Sequence, residues 1–294
     1  MNNIKAKKNI LITGATGFLG SYLARCLIDN HNVIILKRSF SNSWRINDIS
    51  KKLIMYDIDH MELHQIFGEN KIDIIVHTAT VYGRSGEPAD QMVETNVLFP
   101  LKLLDLAILN NVPIFFNADT VASASLNPYA LSKKQFLEWF KMKSSAITAI
   151  NIKLEHFYGP GDDDRKFITY LIRKMIQNDP IDLTNGLQKR DFIYIDDVIS
   201  AFQKILMHHT ADRKSFFEYE IGSENQVSIK DIVNLIHDLV QSKSKLNFGA
   251  IPYRQNEIMH STSNISKISN LGWKPMVALK DGLFRTIHYE KQNS

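Results

Sequence analysis

The chain has 294 residues, of which 44% are apolar, a formal net charge of +4 and a single cysteine, Cys26. This length suffices for one large domain or two lobes with a sizeable core. The positive charge is spread along the chain, which argues against a nucleic-acid-binding stripe and favours mild attraction of small anions. One cysteine excludes an intramolecular disulfide. No stretch approaches 18 apolar residues, and the apolar run after the basic N-terminus is too short for a signal peptide, so we expect a cytoplasmic protein without a membrane span.

A glycine-rich turn follows the first apolar run and precedes a segment with helical periodicity, residues 21–28. Gly14 permits a tight turn, Gly17 lets backbone N–H groups approach a pyrophosphate, and Gly20 lets the helix pack closely on the strand. The helix N-terminus adds a positive dipole. The pattern therefore predicts a dinucleotide-binding strand–turn–helix unit.

Short apolar runs alternate with helical segments through the first half of the chain. After the first run, predicted strands cover Asn32–Leu36, Lys52–Tyr56, Ile72–Val76, Val112–Phe116 and Ala146–Leu154. This alternation predicts an α/β fold with a doubly wound parallel Rossmann sheet. We expect residues 1–156 to form the dinucleotide-binding domain, with 187–241 returning to it. Residues 157–186 and 242–294 are expected to form a smaller substrate-binding lobe.

The end of the second strand bears on the choice of cofactor. An acidic residue about 20 positions after the glycines would favour NAD, whereas basic residues there accommodate a 2′-phosphate. The sequence has Lys37, Arg38 and Ser39 at this point, and an arginine fork can bind phosphate bidentately. A solvated basic strand end is the alternative. The pattern favours NADPH.

The G-x-x-G-x-x-G spacing, written TGATGFLG, resembles the extended branch of the short-chain dehydrogenase/reductase superfamily, the NAD-dependent epimerase/dehydratase family. In that family Asp57 and Ile58 would bracket the adenine, and the His77–Thr80 segment resembles the H-x-A-A turn beside the cofactor. The resemblance implies cofactor contacts from Thr13, Gly14, Thr16, Gly17, Phe18, Leu19, Gly20, Lys37, Arg38, Ser39, Asp57, Ile58, His77, Thr78, Ala79, Asn96, Tyr129 and Lys133.

Three residues form the predicted catalytic set. Asn127 and Pro128 suit a helix start, which places Tyr129 and Lys133, four residues apart, on one helical face. A nearby ammonium is expected to lower the pKa of Tyr129 and make it a better proton carrier, and Lys133 can also hold the ribose hydroxyls of the nicotinamide. Thr120, at the end of the fifth strand, can donate a hydrogen bond to the same carbonyl oxygen.

Candidate substrate-binding residues lie on both sides of this set. Thr80 and Arg84 follow the fourth strand, although Arg84 is equally plausible as a mobile loop cation. His156 replaces the usual asparagine of the family, and it can bind sugar or be a satisfied buried histidine.

Further along, Lys166 and Phe167 begin a helix that borders the nucleotide in the family. Gln188–Asp197 resembles its R-D-F-x-x-x-D-D segment, which implies that Arg190 faces the diphosphate together with Arg254. Each arginine alone could instead form a surface salt bridge. The acidic run 162–164 indicates a solvated loop rather than a metal site, so no metal is expected.

The segments Asn96–Asp105, Leu154–Asp162, Phe248–Ile251 and Arg254–Met259 resemble one group within the family, the CDP-abequose and CDP-paratose synthases. That resemblance covers nearly the whole chain. It implies NADPH-dependent reduction of the C4 ketone of CDP-4-keto-3,6-dideoxyglucose for O-antigen (lipopolysaccharide) synthesis, with the abequose synthases closer. It also suggests a homodimer built from helices near 97–110 and 129–143, although the face of the first helix can equally be core.

Four alternatives to this function differ in their support from the sequence. Dehydratases of the superfamily follow the threonine with an Asp-Glu pair, but Val121 and Ala122 follow Thr120 here, which argues against elimination of water. A 4-epimerase uses the same three residues with bound NAD and stays open, as does the opposite C4 configuration of paratose. A non-catalytic NADP-binding protein is disfavoured by the intact Thr120, Tyr129 and Lys133.

Overall fold

The computed structural model describes residues 7–209 and 214–293. The strands are β1 (Asn9–Thr13), β2 (Asn32–Lys37), β3 (Ile54–Asp57), β4 (Ile74–His77), β5 (Ile114–Thr120), β6 (Thr148–Leu154), β7 (His156–Tyr158), β8 (Ile181–Leu183), β9 (Lys189–Tyr194), β10 (Phe216–Ile221), β11 (Gln226–Ser228) and β12 (Leu246–Phe248). The α-helices are α1 (Phe18–Leu27), α2 (Leu63–Glu69), α3 (Ala89–Val93), α4 (Phe99–Leu109), α5 (Pro128–Met142), α6 (Phe167–Ile176), α7 (Ile195–His208), α8 (Ile229–Val240), α9 (Ser266–Ser269) and α10 (Leu279–Gln292).

Seven strands form the main sheet in the order β10-β6-β5-β4-β1-β2-β3. This order, with parallel pairing from β3 through β5, is that of a Rossmann sheet, so the predicted fold class is confirmed. Thr13 pairs with both Leu36 and His77, and His77 pairs with Asn117. The carboxyl ends of the central strands therefore share one edge, and β5 extends three residues beyond the level of His77 to reach Thr120.

The apolar strand runs are buried because helices cover the sheet. On one face, Leu103 and Leu104 of α4 and Phe136 and Phe140 of α5 pack in one cluster with strand residues such as Phe115. Burial of this cluster fixes α5, and with it Tyr129 and Lys133, against the sheet.

The helix predicted near residues 97–110 is preceded by two further helical segments. A π-helical turn, Glu94–Leu98, separates α3 from α4. Pro100 explains the wider turn, because it has no N–H to donate and its ring would clash with the carbonyl four residues back. The buried Asn96 lies within this turn.

The chain divides into two compact units. Unit 1 comprises Met1–Lys153 and Leu206–Tyr219, and unit 2 comprises Leu154–Ile205 and Glu220–Ser294. The returning segment is shorter than the predicted 187–241, because β9 pairs with β7 and β11 inside unit 2.

Unit 2 has a three-stranded sheet, β11-β9-β7, and a two-stranded sheet, β12-β8. Two buried carboxylates of the R-D-F-x-x-x-D-D segment hold its loops. Asp191 accepts hydrogen bonds from the backbone N–H and hydroxyl of Ser223 (2.8 and 2.6 Å) and from the hydroxyl of Ser263 (2.9 Å). Asp197 accepts from the N–H groups of Met276 and Val277, both at 2.9 Å. In the described part of the chain, no helix is both long and apolar enough to cross a membrane.

Candidate active site and cofactor-binding turn

The glycine turn between β1 and α1 leaves no room for side chains at two of its positions. Gly14 has a φ of +70°, and a Cβ there would lie 2.6 Å from the backbone nitrogen of Ala79. A Cβ on Gly20 would lie 2.7 Å from the carbonyl carbon of Gly14. At Gly17, the N-cap of α1, a Cβ would come to 3.2 Å from the Gly14 oxygen, and no side chain caps the helix. The turn thus leaves the start of α1 open for an anion.

Residues predicted to touch the cofactor hold this turn in shape. The Thr13 hydroxyl lies 2.7 Å from Nδ1 of His77 and accepts from the N–H groups of Thr78 and Ala79, each at 3.3 Å. The Thr78 hydroxyl donates to the Thr13 carbonyl at 2.7 Å. Phe18 and Leu19 are buried at the start of α1.

His77 is completely buried among the rings of Phe99, Phe115 and Phe136. Burial, with a smaller contribution from the charge of Lys133, lowers the pKa of His77 well below its usual value. A neutral imidazole fits this setting, and its contact with Thr13 ties β4 to β1.

The basic end of β2 is less free than the sequence predicts. Lys37 forms an ion pair with Asp57 at 3.2 Å, and the Ser39 hydroxyl donates to the same carboxylate at 2.9 Å. Arg38 pairs through Nε with Asp59, whose other oxygen accepts from the Ser39 N–H at 2.8 Å. Both carboxylates lie next to these cations because β3 pairs with β2 in a register that places Asp57 opposite Lys37. The Ile58 N–H extends this pairing by donating to the Lys37 carbonyl at 3.0 Å. The Arg38 side chain is 51% exposed.

A further cation, Arg45, reaches the glycine turn. Its Nη1 donates to the Thr16 carbonyl at 3.4 Å, and its guanidinium lies 4.4 Å from the centre of the Trp44 ring. Both residues belong to a 3₁₀ helix, Trp44–Lys52, that the sequence did not indicate. Sequence reasoning missed Arg45 because an arginine 25 positions beyond the glycines follows no spacing rule; its only signal is the adjacent tryptophan.

Helix α5 presents the two helical members of the predicted catalytic set. The Asn127 side chain accepts from the Ala130 N–H at 2.8 Å and Pro128 occupies the first turn, which confirms the predicted helix start. Lys133 is buried at 1% exposure. Burial lowers its pKa to about 8, with the charge of Asp119 opposing this shift and that of Lys134 adding to it.

The pKa of Tyr129 moves opposite to the sequence-based expectation. Burial raises it well above its usual value, and the nearby Tyr82 and Asp119 raise it further, while Arg84 only partly opposes them. The net lowering of the Tyr129 pKa that the sequence predicts is therefore wrong for this structure. Near neutral pH the phenol keeps its proton.

The loop after β4 covers Tyr129. The ring of Tyr82 lies 4.8 Å from that of Tyr129, and the Arg84 guanidinium lies 4.7 Å from the Tyr82 ring. Arg84 is therefore held beside Tyr129 by its cation–π contact with Tyr82 rather than moving freely. Tyr82 was missed as a site residue, and only its place two residues before Arg84 could have indicated it.

Asn96 fixes this loop. Its amide donates to the Val81 carbonyl (2.8 Å) and the Ser132 hydroxyl (3.0 Å), and its oxygen accepts from the Val81 N–H (2.8 Å) and the Thr80 hydroxyl (3.1 Å). These four bonds use its full capacity. Asn96 and the Thr80 hydroxyl bound to it therefore shape this loop.

Thr120 stands at the carboxyl end of β5. Its hydroxyl accepts from the Ala122 N–H at 3.2 Å, and its carbonyl accepts from Lys134 Nζ at 2.5 Å. Thr120, Tyr129 and Lys133 all belong to unit 1.

The remaining predicted substrate residues belong to unit 2. The His156 side chain is half-exposed, and its Nδ1 lies 3.0 Å from the buried Glu155. The alternative of a buried histidine at this position is therefore wrong. Lys166 pairs with Asp162 at 2.9 Å just before Phe167 begins α6. Asp162 is itself buried, so this part of the loop is not solvated as predicted.

The two predicted diphosphate arginines differ in their surroundings. Arg190 is largely buried in an ion pair with Glu257, whereas Arg254 is exposed. The Glu257 N–H donates to the Arg254 carbonyl at 3.1 Å, so one turn ties both arginines together. No group of three or more His, Cys, Asp or Glu residues within 7–209 and 214–293 is placed to hold a metal ion.

A Rossmann sheet with this glycine turn and a Tyr-x-x-x-Lys helix defines a nicotinamide-cofactor enzyme of the short-chain dehydrogenase/reductase type. The model of the NAD dependent epimerase/dehydratase family matches residues 10–222. The chain belongs to that family.

Two relatives and one solved structure narrow the comparison. The chain is 35% identical to CDP-abequose synthase of Salmonella muenchen, over 95% of this chain and 97% of that protein. It is 32% identical to CDP-abequose synthase of Salmonella typhimurium, with 94% and 96% covered. UDP-glucuronic acid 4-epimerase of Bacillus cereus, solved with UDP-glucuronic acid and NAD, is 25% identical with a TM-score of 0.85, covering 97% of this chain and 100% of that one. These similarities support a nucleotide-sugar enzyme with a CDP-sugar reductase role.

Proposed function

We propose that the protein is an NADPH-dependent 4-ketoreductase that converts CDP-4-keto-3,6-dideoxy-D-glucose to CDP-abequose for O-antigen synthesis. The observation that carries this proposal is that Tyr129 and the buried Lys133 lie one turn apart on α5, with Thr120 at the end of β5. Reduction of a ketone creates an alkoxide, and a protonated tyrosine can neutralise it.

The residues of unit 1 fit a dinucleotide cofactor. The positions of Gly14 and Gly20 are closed to any side chain, and the uncapped start of α1 suits a pyrophosphate. NADPH, when bound, supplies the hydride for C4. Arg38 is the residue we assign to its 2′-phosphate, because its Nε engages Asp59 while half of the side chain remains exposed. Arg45 beside Thr16 adds a second cation at this end of the turn.

Each member of the catalytic set is assigned a role in the reduction. Tyr129 donates its phenolic proton to the C4 oxygen as that oxygen gains charge. The Thr120 hydroxyl donates a hydrogen bond to the same oxygen. Lys133, largely protonated at neutral pH, holds the nicotinamide ribose hydroxyls and supplies positive charge beside the forming phenolate.

Arg84 and the stacked Tyr82, next to Tyr129, are assigned to the sugar. The family resemblance assigns Arg190, Arg254, Lys166 and Phe167 to the nucleotide diphosphate, and His156 to the sugar. The guanidinium group of arginine can bind two diphosphate oxygens at once. Arg254 is exposed and is therefore accessible to a diphosphate.

A nucleotide-sugar 4-epimerase is the second candidate, supported by the similarity to the Bacillus cereus enzyme. An epimerase keeps its NAD bound and returns the hydride to the sugar, so it consumes no NADPH. The basic residues Lys37 and Arg38 at the end of β2 favour NADPH, and therefore net reduction.

The test is the loss of NADPH absorbance with CDP-4-keto-3,6-dideoxyglucose as substrate. We expect rapid oxidation of NADPH by the wild type and a loss of about 10²–10⁴-fold in kcat for Tyr129→Phe, which keeps the ring but removes the proton. Conversion of a CDP- or UDP-hexose without net cofactor consumption would establish the epimerase instead. If the product is CDP-paratose, the 4-ketoreductase assignment stands and only the assigned C4 configuration is wrong.

A further inference from the structure

The side chain of Lys134, next to the catalytic Lys133, joins two elements of the active site. Its Nζ donates to Oδ2 of Asp119 at 2.8 Å and to the carbonyl of Thr120 at 2.5 Å. Lys134 belongs to α5, whereas Asp119 and Thr120 are the last two residues of β5. A single ammonium therefore connects the strand end that carries Thr120 to the helix that carries Tyr129 and Lys133.

Asp119 is almost completely buried, at 3% exposure. Its Oδ2 also accepts from the Asn151 amide at 3.0 Å, and Oδ1 has no hydrogen-bond partner within the described chain. Asn151 donates in addition to Glu218, which forms its own ion pair with Lys153 at 2.6 Å. Glu218 is thus balanced by Lys153, and the charge of Asp119 is balanced by Lys134.

We propose that Lys134 and Asp119 form a positioning pair for the reaction, which holds Thr120 in register with Tyr129 and Lys133 and keeps the charge beside them balanced. This inference rests on the proposed reductase function. Neither residue is assigned a contact with substrate or cofactor. Lys134 acts through Thr120, because its ammonium binds the Thr120 carbonyl. The charges of Lys134 and Asp119 also act on the pKa of Lys133.

Charged and titratable groups from several elements surround Tyr129 and Lys133. Asp119 comes from β5, Lys134 from α5, Tyr82 and Arg84 from the loop after β4, and His77 from β4. Asp119 raises the pKa of both Tyr129 and Lys133, whereas Lys134 lowers that of Lys133. Removing one partner or the other breaks the same ion pair but shifts these pKa values in opposite directions.

The experiment measures kcat, KM and the pH dependence of kcat/KM for Lys134→Met and Asp119→Asn. Because Lys133 must be protonated, its pKa of about 8 is expected to set the alkaline limb of the wild type. We expect this limb to move up by about one pH unit in Lys134→Met and down by about one unit in Asp119→Asn. In both variants kcat falls about 10- to 100-fold with a smaller change in KM, since displacement of Thr120 affects the transition state most.

Two further variants separate positioning from a general effect on folding. Lys134→Arg keeps the cation and is expected to recover most of kcat and the wild-type pH limb. Lys141→Met makes the same substitution further along α5, where the lysine pairs with the exposed Glu138, and is expected to change neither parameter. Thermal denaturation of each variant reports the loss of stability separately.

Shifts of the alkaline limb in the same direction for both variants, or wild-type kcat in Lys134→Met, would overturn the proposal. If Asp119→Asn does not fold, the comparison of Lys134→Met with Lys134→Arg decides, and failure of arginine to recover kcat counts against the pair. Failure of the proposed function is distinguishable, because the wild type would then not oxidise NADPH with the keto sugar.

Discussion

Lys133 and Tyr129 lie one helical turn apart and respond to burial in opposite ways. Burial disfavours the charged form of each group, so the pKa of Lys133 falls to about 8 while that of Tyr129 rises. Near neutral pH both groups therefore carry their protons. This state suits the reductive direction, in which a proton must be delivered to an alkoxide.

The cofactor preference provides a prediction at the residue scale. Arg38→Asp replaces an exposed guanidinium with a carboxylate that repels the 2′-phosphate of NADPH but is compatible with the ribose hydroxyl of NADH. We expect the Kd for NADPH to rise about 100-fold and that for NADH to change less than about threefold. Fluorescence titration of both cofactors measures the two constants.

Lys52→Asp is the matched control, because Lys52 is an exposed lysine paired with Asp29 near the end of the 3₁₀ helix. It is expected to leave both constants unchanged. Equal losses for NADPH and NADH in Arg38→Asp, or no loss, would contradict the assignment of Arg38 to the 2′-phosphate.

The sequence was sufficient to name Lys37 and Arg38 but not their partners. Asp57 and Asp59 lie about 20 positions further along, and only the β2–β3 register places Asp57 opposite Lys37. The pKa of Tyr129 was likewise out of reach, because its direction depends on burial by a loop that carries Tyr82.

At the scale of elements, the glycine turn combines close packing with an open helix start. We expect Gly20→Ala to lower the free energy of unfolding by about 1–3 kcal/mol, because its Cβ would meet the backbone of Gly14 and Ala15. Cofactor binding should weaken with it. Urea denaturation and NADPH titration measure the two effects.

Gly68→Ala offers the comparison in a helix without crowding. A Cβ at Gly68 in α2 has no atom within 4 Å, so alanine is expected to stabilise the protein by about 0.5–1 kcal/mol. A Gly20→Ala variant as stable as wild type would show that the turn tolerates a side chain.

Helix boundaries show where local patterns are informative. Asn127 and Pro128 marked the start of α5 correctly because capping is a local interaction. The π-helical turn before α4 was not predicted, although Pro100 was visible, because a proline near a helix start also fits an unbroken helix. The four hydrogen bonds of Asn96 to distant residues have no signature in the sequence.

At the scale of the whole molecule, the alternation of strands and helices was enough to predict the Rossmann sheet. The assignment of the second half of the chain to the two units was harder to predict. Asp191 and Asp197, which belong to the R-D-F-x-x-x-D-D segment, accept hydrogen bonds from distant loops of unit 2. Such anchors depend on tertiary contacts that sequence spacing does not encode.

We propose that the protein forms a homodimer through α4 and α5. Leu109 of α4 and Met142 of α5 are 76% and 73% exposed, and Trp139 of α5 is also exposed. Exposure of large apolar side chains to water is unfavourable, and a second copy of the chain would cover them. Sedimentation velocity is expected to give a dimer at micromolar concentration. The double variant Trp139→Glu/Met142→Glu is expected to sediment as a monomer.

Phe284→Glu is the control for this prediction, since Phe284 is an exposed aromatic residue on α10 and lies outside the proposed interface. It should leave the sedimentation coefficient unchanged. A wild type that sediments as a monomer would contradict the dimer without affecting the proposed chemistry.

The most direct test of the reductase proposal follows the hydride itself. CDP-4-keto-3,6-dideoxyglucose is incubated with NADPH deuterated at the transferable position of the nicotinamide, and the product sugar is analysed by NMR. We expect one deuterium at C4 for each NADPH consumed, with coupling constants that identify abequose. A product without deuterium at C4, formed with no net loss of NADPH, would contradict the assignment of this protein as a 4-ketoreductase.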